Sequence, residues 1–311
     1  MSHQQFNLDA LGAANGDESV ASPLLLAANV LAHECQLSQI KLAGWQSRPE
    51  FGPPLLCLHG WLDNAHSFLP LAAALKKHSL FAVDLAGHGH SQHRSSDAHY
   101  YLFDYVSDIV ELIQRQGWQQ VTLVGHSMGG MIATALAAAM PELVSRLVLI
   151  DSFGFVTAAE DIAAQQLRKA IQSRLGRIGK QKPTYPNLMQ AAVARQAQSD
   201  FALPQALLLA ERGTLQLSED EKGISWRADM RLREISAQRL SVQQAKAIIA
   251  AVACPVLALM AKDTIPLMQE NLSLFRESYQ NLSCHQLHGG HHLHMTNPQQ
   301  VAQHLAAFIS L

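Results

Sequence analysis

Apolar residues recur along the chain with two distinct spacings. Short apolar runs bounded by Gly, Pro or charged residues predict strands over 35–42, 54–58, 80–84, 121–125, 147–151, 255–260 and 284–287. Longer stretches between them carry apolar positions three and four apart and predict helices over 102–116, 128–140, 267–279 and 298–311. In the first of these, Ile109, Leu112 and Ile113 fall on one face. Such alternation is the sequence form of an α/β architecture, a mostly parallel sheet covered by helices.

The alternation stops after Asp151 and resumes at Cys254, and the residues between are helical, rich in Gln and Arg, and without a strand signal. An α/β core over 31–154 and 251–311, interrupted by a helical cap over 155–250, is therefore expected. Residues 1 to about 30 read as a partly mobile leader. Its apolar stretch Pro23–Ala28 follows Asp9, Asp17 and Glu18 with no Lys or Arg, the reverse of a secretory signal's basic start.

Charge narrows the classes further. With 23 basic against 25 acidic residues, the chain lacks the basic excess that meets a phosphate backbone, so no nucleic-acid partner is expected. No apolar run approaches the roughly 20 residues that span a bilayer, and no membrane role is expected. Cys35, Cys57, Cys254 and Cys284 form no CxxC pair and read as free thiols in a reducing, cytoplasmic setting. Residues 158–250 hold 14 basic and 9 acidic side chains, so cap and core differ in sign, a pattern read as a solvated helical surface.

The chemistry concentrates in three places. Val-Thr-Leu-Val-Gly-His-Ser-Met-Gly-Gly over 121–130 is an apolar strand entering G-x-S-x-G and then a small-residue helix. The glycines permit a sharp strand-to-helix turn that exposes Ser127 as a nucleophile, with the Met128 N–H at the helix start as an oxyanion donor. A serine hydroxyl needs a base, and 287–298, Leu-His-Gly-Gly-His-His-Leu-His-Met-Thr-Asn-Pro, is rich in candidates. Its histidines invite a metal reading, as do His88, His90 and His93. Yet no cysteine pair or carboxylate stands beside them in sequence, and Gly289-Gly290 rules out a metal-binding helix, so neither metal nor cofactor is expected.

With the 287–298 loop placed between the last strand and the last helix, the chain resembles the α/β-hydrolase fold family. The resemblance implies that His291, directly after Gly290, is the base, with His288, His292 and His294 lining or covering the loop. His59-Gly60-Trp61-Leu62-Asp63-Asn64 resembles the family's HG turn, which implies a second oxyanion donor in the Trp61 N–H, with His59 shaping the turn by hydrogen bonding. Asp84-Leu85-Ala86-Gly87-His88-Gly89-His90-Ser91 resembles a turn of structural purpose. Two aspartates compete to complete the triad. Asp263 follows the strand after which most members carry the acid, although the usual register falls on Thr264; Asp151, 24 residues after Ser127, is the position some branches use and is preferred. His59, His126 and Trp226 are candidate pocket residues.

His59 to Asn64 with Ser67-Phe68, Trp226 to Leu232, and Ala261-Lys262-Asp263 are similar to the serine hydrolase-like proteins and their bacterial relatives. A serine at the elbow, where haloalkane dehalogenases and epoxide hydrolases carry aspartate, sets those branches aside. The implied activity is hydrolysis of carboxylic esters of small to medium size, with a small-molecule substrate. In this reading the cap, with Trp226 and Arg227 or Arg231, covers the acyl pocket. Two alternatives keep the fold: cleavage of a carbon–carbon bond in a diketone or dienoate, with the cap arginines binding a substrate carboxylate, and a non-catalytic binding protein.

Overall fold

A computed structural model of the chain describes residues 23–218 and 222–310. Within them run α1 (Pro23–Ala28), β1 (Val30–Gln36), β2 (Lys41–Ser47), β3 (Leu55–Leu58), α2 (Leu69–Ala74), β4 (Leu80–Val83), α3 (Leu102–Arg115), β5 (Val121–His126), α4 (Met128–Ala139) and β6 (Val144–Ile150). Next come α5 (Ala163–Leu175), β7 (Thr184–Tyr185), α6 (Leu188–Gln196), α7 (Leu203–Gly213), β8 (Thr214–Gln216), β9 (Ile224–Trp226) and α8 (Val242–Ala250). The chain closes with β10 (Val256–Asp263), α9 (Pro266–Phe275), β11 (Leu282–Gly290), α10 (Leu293–Thr296) and α11 (Pro298–Ile309).

Eight strands form one sheet in the order β1-β2-β4-β3-β5-β6-β10-β11. Only β2 opposes its neighbours; every other pairing outward from β4 is parallel. From β3 the chain steps to β4 on one side and then crosses to β5 on the other. That reversal opens a crevice at the carboxyl ends of β3 and β5, where ligands bind in sheets of this kind.

The central strands alternate between two apolar layers. Leu56, Leu58, Leu123, Leu147 and Leu149 join α3, α4, α8 and α9 on one face. Leu55, Cys57, Val124, Val148 and Ile150 join α2, α7 and α11 on the other. Helix α3 has no side-chain cap at Tyr101. Its stability comes instead from Ile109, Leu112 and Ile113, all fully buried; burying each contributes about 1.5–3 kcal/mol, more than a cap's ~1 kcal/mol.

Four expectations from the sequence need adjustment. The strand at 35–42 is the turn of the β1–β2 hairpin: Leu37 N–H donates to Ile40 O at 2.8 Å, and both side chains are buried, so apolar residues flank the exposed Ser38-Gln39 tip and carry the apolar pattern through it. Of the expected leader, residues 1–22 lie outside the described residues, while α1 packs its Ala28, Leu24 and Leu25 against the second apolar layer. The segment thought to lack strands holds a small sheet, β7-β9-β8, whose strands of two and three residues are too short to show a period. Helix α8, started by a capping box between Ser241 and Gln244, sends Ala245 and Ile249 into the layer beside α4, although the sequence groups it with the cap. No helix among the described residues is long and apolar enough to cross a membrane.

Candidate active site

Strand register brings four loops to one end of the sheet. Leu58 pairs with Gly125, His126 with Ile150, Ile150 with Leu259, and Asp263 with Gly290. The turns after β3, β5, β6 and β11 therefore emerge side by side.

Ser127 sits at the β5–α4 junction with φ 50° and ψ −118°, a conformation a non-glycine residue adopts only under constraint. The constraint is close packing. A Cβ on Gly129 would fall 2.0 Å from Leu58 O, and one on Gly125 would fall 2.5 Å from Gly129 O, so only glycine lets α4 start this near the sheet. Ser152 Oγ donates to Ser127 O at 2.7 Å and ties the elbow to the loop after β6. The twelve residues of α4 put the positive end of their dipole beside Ser127.

Around Ser127 the structure assembles residues far apart in sequence. His291 Nε2 lies 2.9 Å from Ser127 Oγ, and His291 Nδ1 lies 2.7 Å from Asp151 Oδ2. Asp151 is fully buried, with φ 39°. Its Oδ1 accepts from Ala261 N–H at 2.7 Å, and its Oδ2 also accepts from Thr264 Oγ1 at 2.5 Å. The other candidate acid, Asp263, is exposed at the end of β10, while the Thr264 hydroxyl beside it reaches the Asp151 carboxylate. A hydroxyl bonded to an imidazole whose far nitrogen faces a buried carboxylate is the arrangement that activates a serine.

The turn after β3 is fixed from within. His59 Nε2 accepts from Leu85 N–H at 3.0 Å, so the proton sits on Nδ1, which donates to Gly60 O at 2.7 Å. Gly60 O also accepts from Asp63 N–H at 3.2 Å. With that carbonyl turned inward, planarity points the Trp61 N–H the opposite way. The Trp61 ring is half exposed and its Nε1 donates to Leu232 O at 2.8 Å. Met128 opens α4 directly after Ser127 and is half-buried.

The candidate pocket residues have other duties. His59 is fully buried and shapes the turn. His126, also buried, donates from Nε2 to His291 O at 2.9 Å and lies behind the imidazole rather than in front of it. Trp226 packs against Gly213, where an added Cβ would meet the indole at 2.8 Å. Asp84 is the hub of its turn: Ala65 N–H and His90 N–H donate to it, and Arg212 Nε reaches both carboxylate oxygens. A surface depression of about 530 Å³ lined by Ala158 to Asp161 and Ser241 to Gln243 includes none of these residues.

A second polar cluster, which the sequence reading missed, stands behind the histidine. Asp63 Oδ1 accepts from Arg195 Nη2 at 2.8 Å, His292 N–H donates to Asp200 Oδ2 at 3.1 Å, and His292 Nδ1 hydrogen-bonds Asp200 Oδ1. Burial opposes charge on His292, yet the Asp63 and Asp200 carboxylates push it up to about 9. Burial also opposes charge on Asp63, but His292 and Arg195 hold it well below the usual carboxylate range. His126 is held well below the ordinary histidine value by burial and then by the neighbouring histidines. Asp63 was visible within the HG turn; Arg195 and Asp200, in the insertion, carried no local signal.

The profile of the alpha/beta hydrolase fold matches residues 53–298. The chain belongs to this family. It is 30% identical over 277 residues to serine hydrolase-like protein 2 of Homo sapiens, covering 83% of this chain and 87% of that one. It is similar to a hypothetical protein of Pseudomonas aeruginosa PAO1 whose crystal structure superposes with TM-score 0.83 at 38% identity, over 90% of this chain and 99% of that one. The thioesterase domain of a curacin biosynthetic pathway shares the fold, with TM-score 0.79 at 24% identity over 89% of this chain and 99% of that one. Family and named relatives together support a hydrolase function.

Proposed function

We propose that the protein is a serine hydrolase that cleaves carboxylic esters of small to medium size through an acyl-enzyme intermediate, in the cytoplasm and without a cofactor. The observation that carries the reading is the hydrogen-bonded chain from Ser127 Oγ through His291 to the buried Asp151. In this reading Ser127 Oγ attacks the ester carbonyl while His291 Nε2 takes its proton. The Asp151 carboxylate holds the Nδ1 proton and stabilises the imidazolium. The Met128 and Trp61 N–H groups receive the oxyanion. The imidazolium then protonates the departing alcohol, and water, activated by the same nitrogen, releases the acid.

The side chains available favour ester over carbon–carbon cleavage. Arg231 is occupied by Asp229 and by the carbonyls of Arg94, Ser95 and Ala98, and Arg227 Nε by Thr214 O. Arg231 is thus committed within the protein and is not free to bind a substrate carboxylate. Four free thiols agree with a reducing compartment.

The test is the intact mass of wild type and Ser127→Ala after exposure to a fluorophosphonate, followed by turnover of an ester panel. One adduct on wild type, none on the variant and turnover only by wild type are expected. Folded wild type that neither labels nor turns over any ester would overturn the reading in favour of a non-catalytic binding protein.

A further inference from the structure

We propose that Asp63, His126 and His292 form a binding site for a divalent transition-metal ion of the zinc class, directly behind the serine–histidine pair. The three side chains come from the turn after β3, the end of β5 and the loop after β11, and their ligand atoms all lie within 4.8 Å of one another. Asp63 Oδ2 is 3.6 Å from His126 Nδ1 and 3.5 Å from His292 Nε2. Tetrahedral zinc with N and O ligands at 2.0–2.1 Å separates neighbouring donors by about 3.3 Å, so two edges of the site are nearly in place. Only the edge between the two histidines must close, which a small ring movement supplies.

The donors also point the right way. His126 Nε2 gives its proton to a backbone carbonyl, which leaves the Nδ1 lone pair facing the Asp63 carboxylate. Two acceptors thus face each other in the interior, and neither His126 Nδ1 nor Asp63 Oδ2 has a hydrogen-bond partner. Such a pairing costs free energy unless something electropositive lies between. His292 Nδ1 engages Asp200 Oδ1, which turns Nε2 toward the same point. Each histidine is therefore oriented by an oxygen on its far nitrogen, as metal-bound histidines are. Arg195 holds Asp63 by Oδ1 and leaves Oδ2 to the slot.

Gly60 keeps the slot open. A Cβ there would stand 2.8 Å from His126 Nδ1 and 3.0 Å from Asp63 Oδ2. No carboxylate stands beside these histidines in sequence; folding supplies Asp63 from more than two hundred residues before His292. The His292 side chain, about 10% exposed, marks a short way in.

Metal-free full-length protein titrated with Zn²⁺ by calorimetry, and with Co²⁺ by its ligand-field absorption, tests the site without any turnover assay. One tight equivalent per chain and a four-coordinate cobalt spectrum are expected, in wild type and equally in Ser127→Ala. Asp63→Asn and His292→Gln abolish that equivalent, while Asp200→Asn, which acts through His292, weakens it about 10–100-fold. The His285→Gln/His304→Gln pair, two neighbouring rings outside the site, leaves it unchanged. Thermal melts certify that each variant is folded, and any one folded ligand variant suffices. The inference is overturned if no stoichiometric binding occurs, because a proton on His292 Nε2 is then the slot's occupant. It is equally overturned if binding survives in folded Asp63→Asn and His292→Gln and disappears with His285 and His304.

Discussion

Asp151→Asn separates the two aspartates that compete for the catalytic role. The carboxylate of Asp151 has three donors on two oxygens: Ala261 N–H at 2.7 Å on Oδ1, and the Thr264 hydroxyl at 2.5 Å and His291 Nδ1 at 2.7 Å on Oδ2. Asparagine offers one acceptor oxygen. If that oxygen keeps Ala261, its NH₂ faces His291 Nδ1 and forces the imidazole proton onto Nε2, where it points at Ser127 and cannot accept the serine's proton. Loss of the correct tautomer in such a triad lowers kcat by about 10⁴, equivalent to ~5.5 kcal/mol of transition-state stabilisation. KM changes little, because the substrate does not contact a fully buried aspartate. Asp263→Asn, at an exposed strand end, leaves kcat/KM within about twofold of wild type, the usual result for a surface change. Steady-state kinetics on the best ester, beside thermal melts, reads both. Thr264 touches the same carboxylate oxygen as His291, so Asp151→Asn/Thr264→Asp is expected to exceed Asp151→Asn in kcat. Asp151→Asn with more than a tenth of wild-type kcat, or Asp263→Asn with a loss comparable to that expected at Asp151, would refute the assignment.

Three further outcomes follow from packing and burial. His66 and His88 are buried and held down, mainly by burial, to about 4 and about 3. Their unfolded counterparts protonate near 6.5, so stability falls as pH drops below 6.5. Each group contributes a loss of about 2 kcal/mol by pH 5. His292, raised to about 9, opposes this by roughly 1 kcal/mol, and exposed Glu211, raised to about 7, opposes it weakly through solvent screening. Urea midpoints that do not fall between pH 7 and pH 5 would contradict the burial argument. Gly129→Ala drives a methyl to 2.0 Å from Leu58 O and should cost about 3 kcal/mol or prevent folding, read by denaturation and soluble yield. Arg212→Met leaves the buried Asp84 without its cation and should cost about 3–5 kcal/mol, whereas a melt within a degree of wild type would show that backbone N–H donors alone satisfy that carboxylate.

Chemistry confined to a few consecutive residues was readable before folding. Gly125 to Gly129 carries its own geometry, since glycine spacing, a preceding apolar strand and a following small-residue helix all lie within ten positions. His291 could be picked from its loop only through the family resemblance, and Asp151 was preferred over Asp263 without being decided. Orientation could not be read in this way. His59 and His126 stand in motifs beside the nucleophile, yet their rings turn inward, because each donates a ring proton to a backbone carbonyl that the sequence does not reveal. Trp226, on a strand of three residues, packs on α7 because Gly213 leaves room for an indole. The β1–β2 turn escaped detection because its polar tip is only Ser38-Gln39, with no Gly, Pro, Asn or Asp, and buried Leu37 and Ile40 flank it.

The insertion between β6 and β10 does more than cover the core, because its polar contacts converge on the turn after β3. Asn64 Nδ2 donates to Leu209 O, and His66 Nδ1 bonds Leu208 O, both on α7. Asp63 takes Arg195 from α6, Trp61 Nε1 reaches Leu232 O, and Arg212 at the end of α7 closes on Asp84. Ala206 to Ala210 of α7 are buried in the same apolar layer as Phe68 and Leu69. Displacing α7 would have to break these bonds and expose Leu207, Leu208 and Leu209, at about 1.5–3 kcal/mol for each side chain. The turn whose Trp61 N–H is proposed to receive the oxyanion is held from outside by this insertion. Replacing the insertion with that of another hydrolase is thus expected to lower kcat even for a minimal ester, since the donor geometry changes along with the pocket.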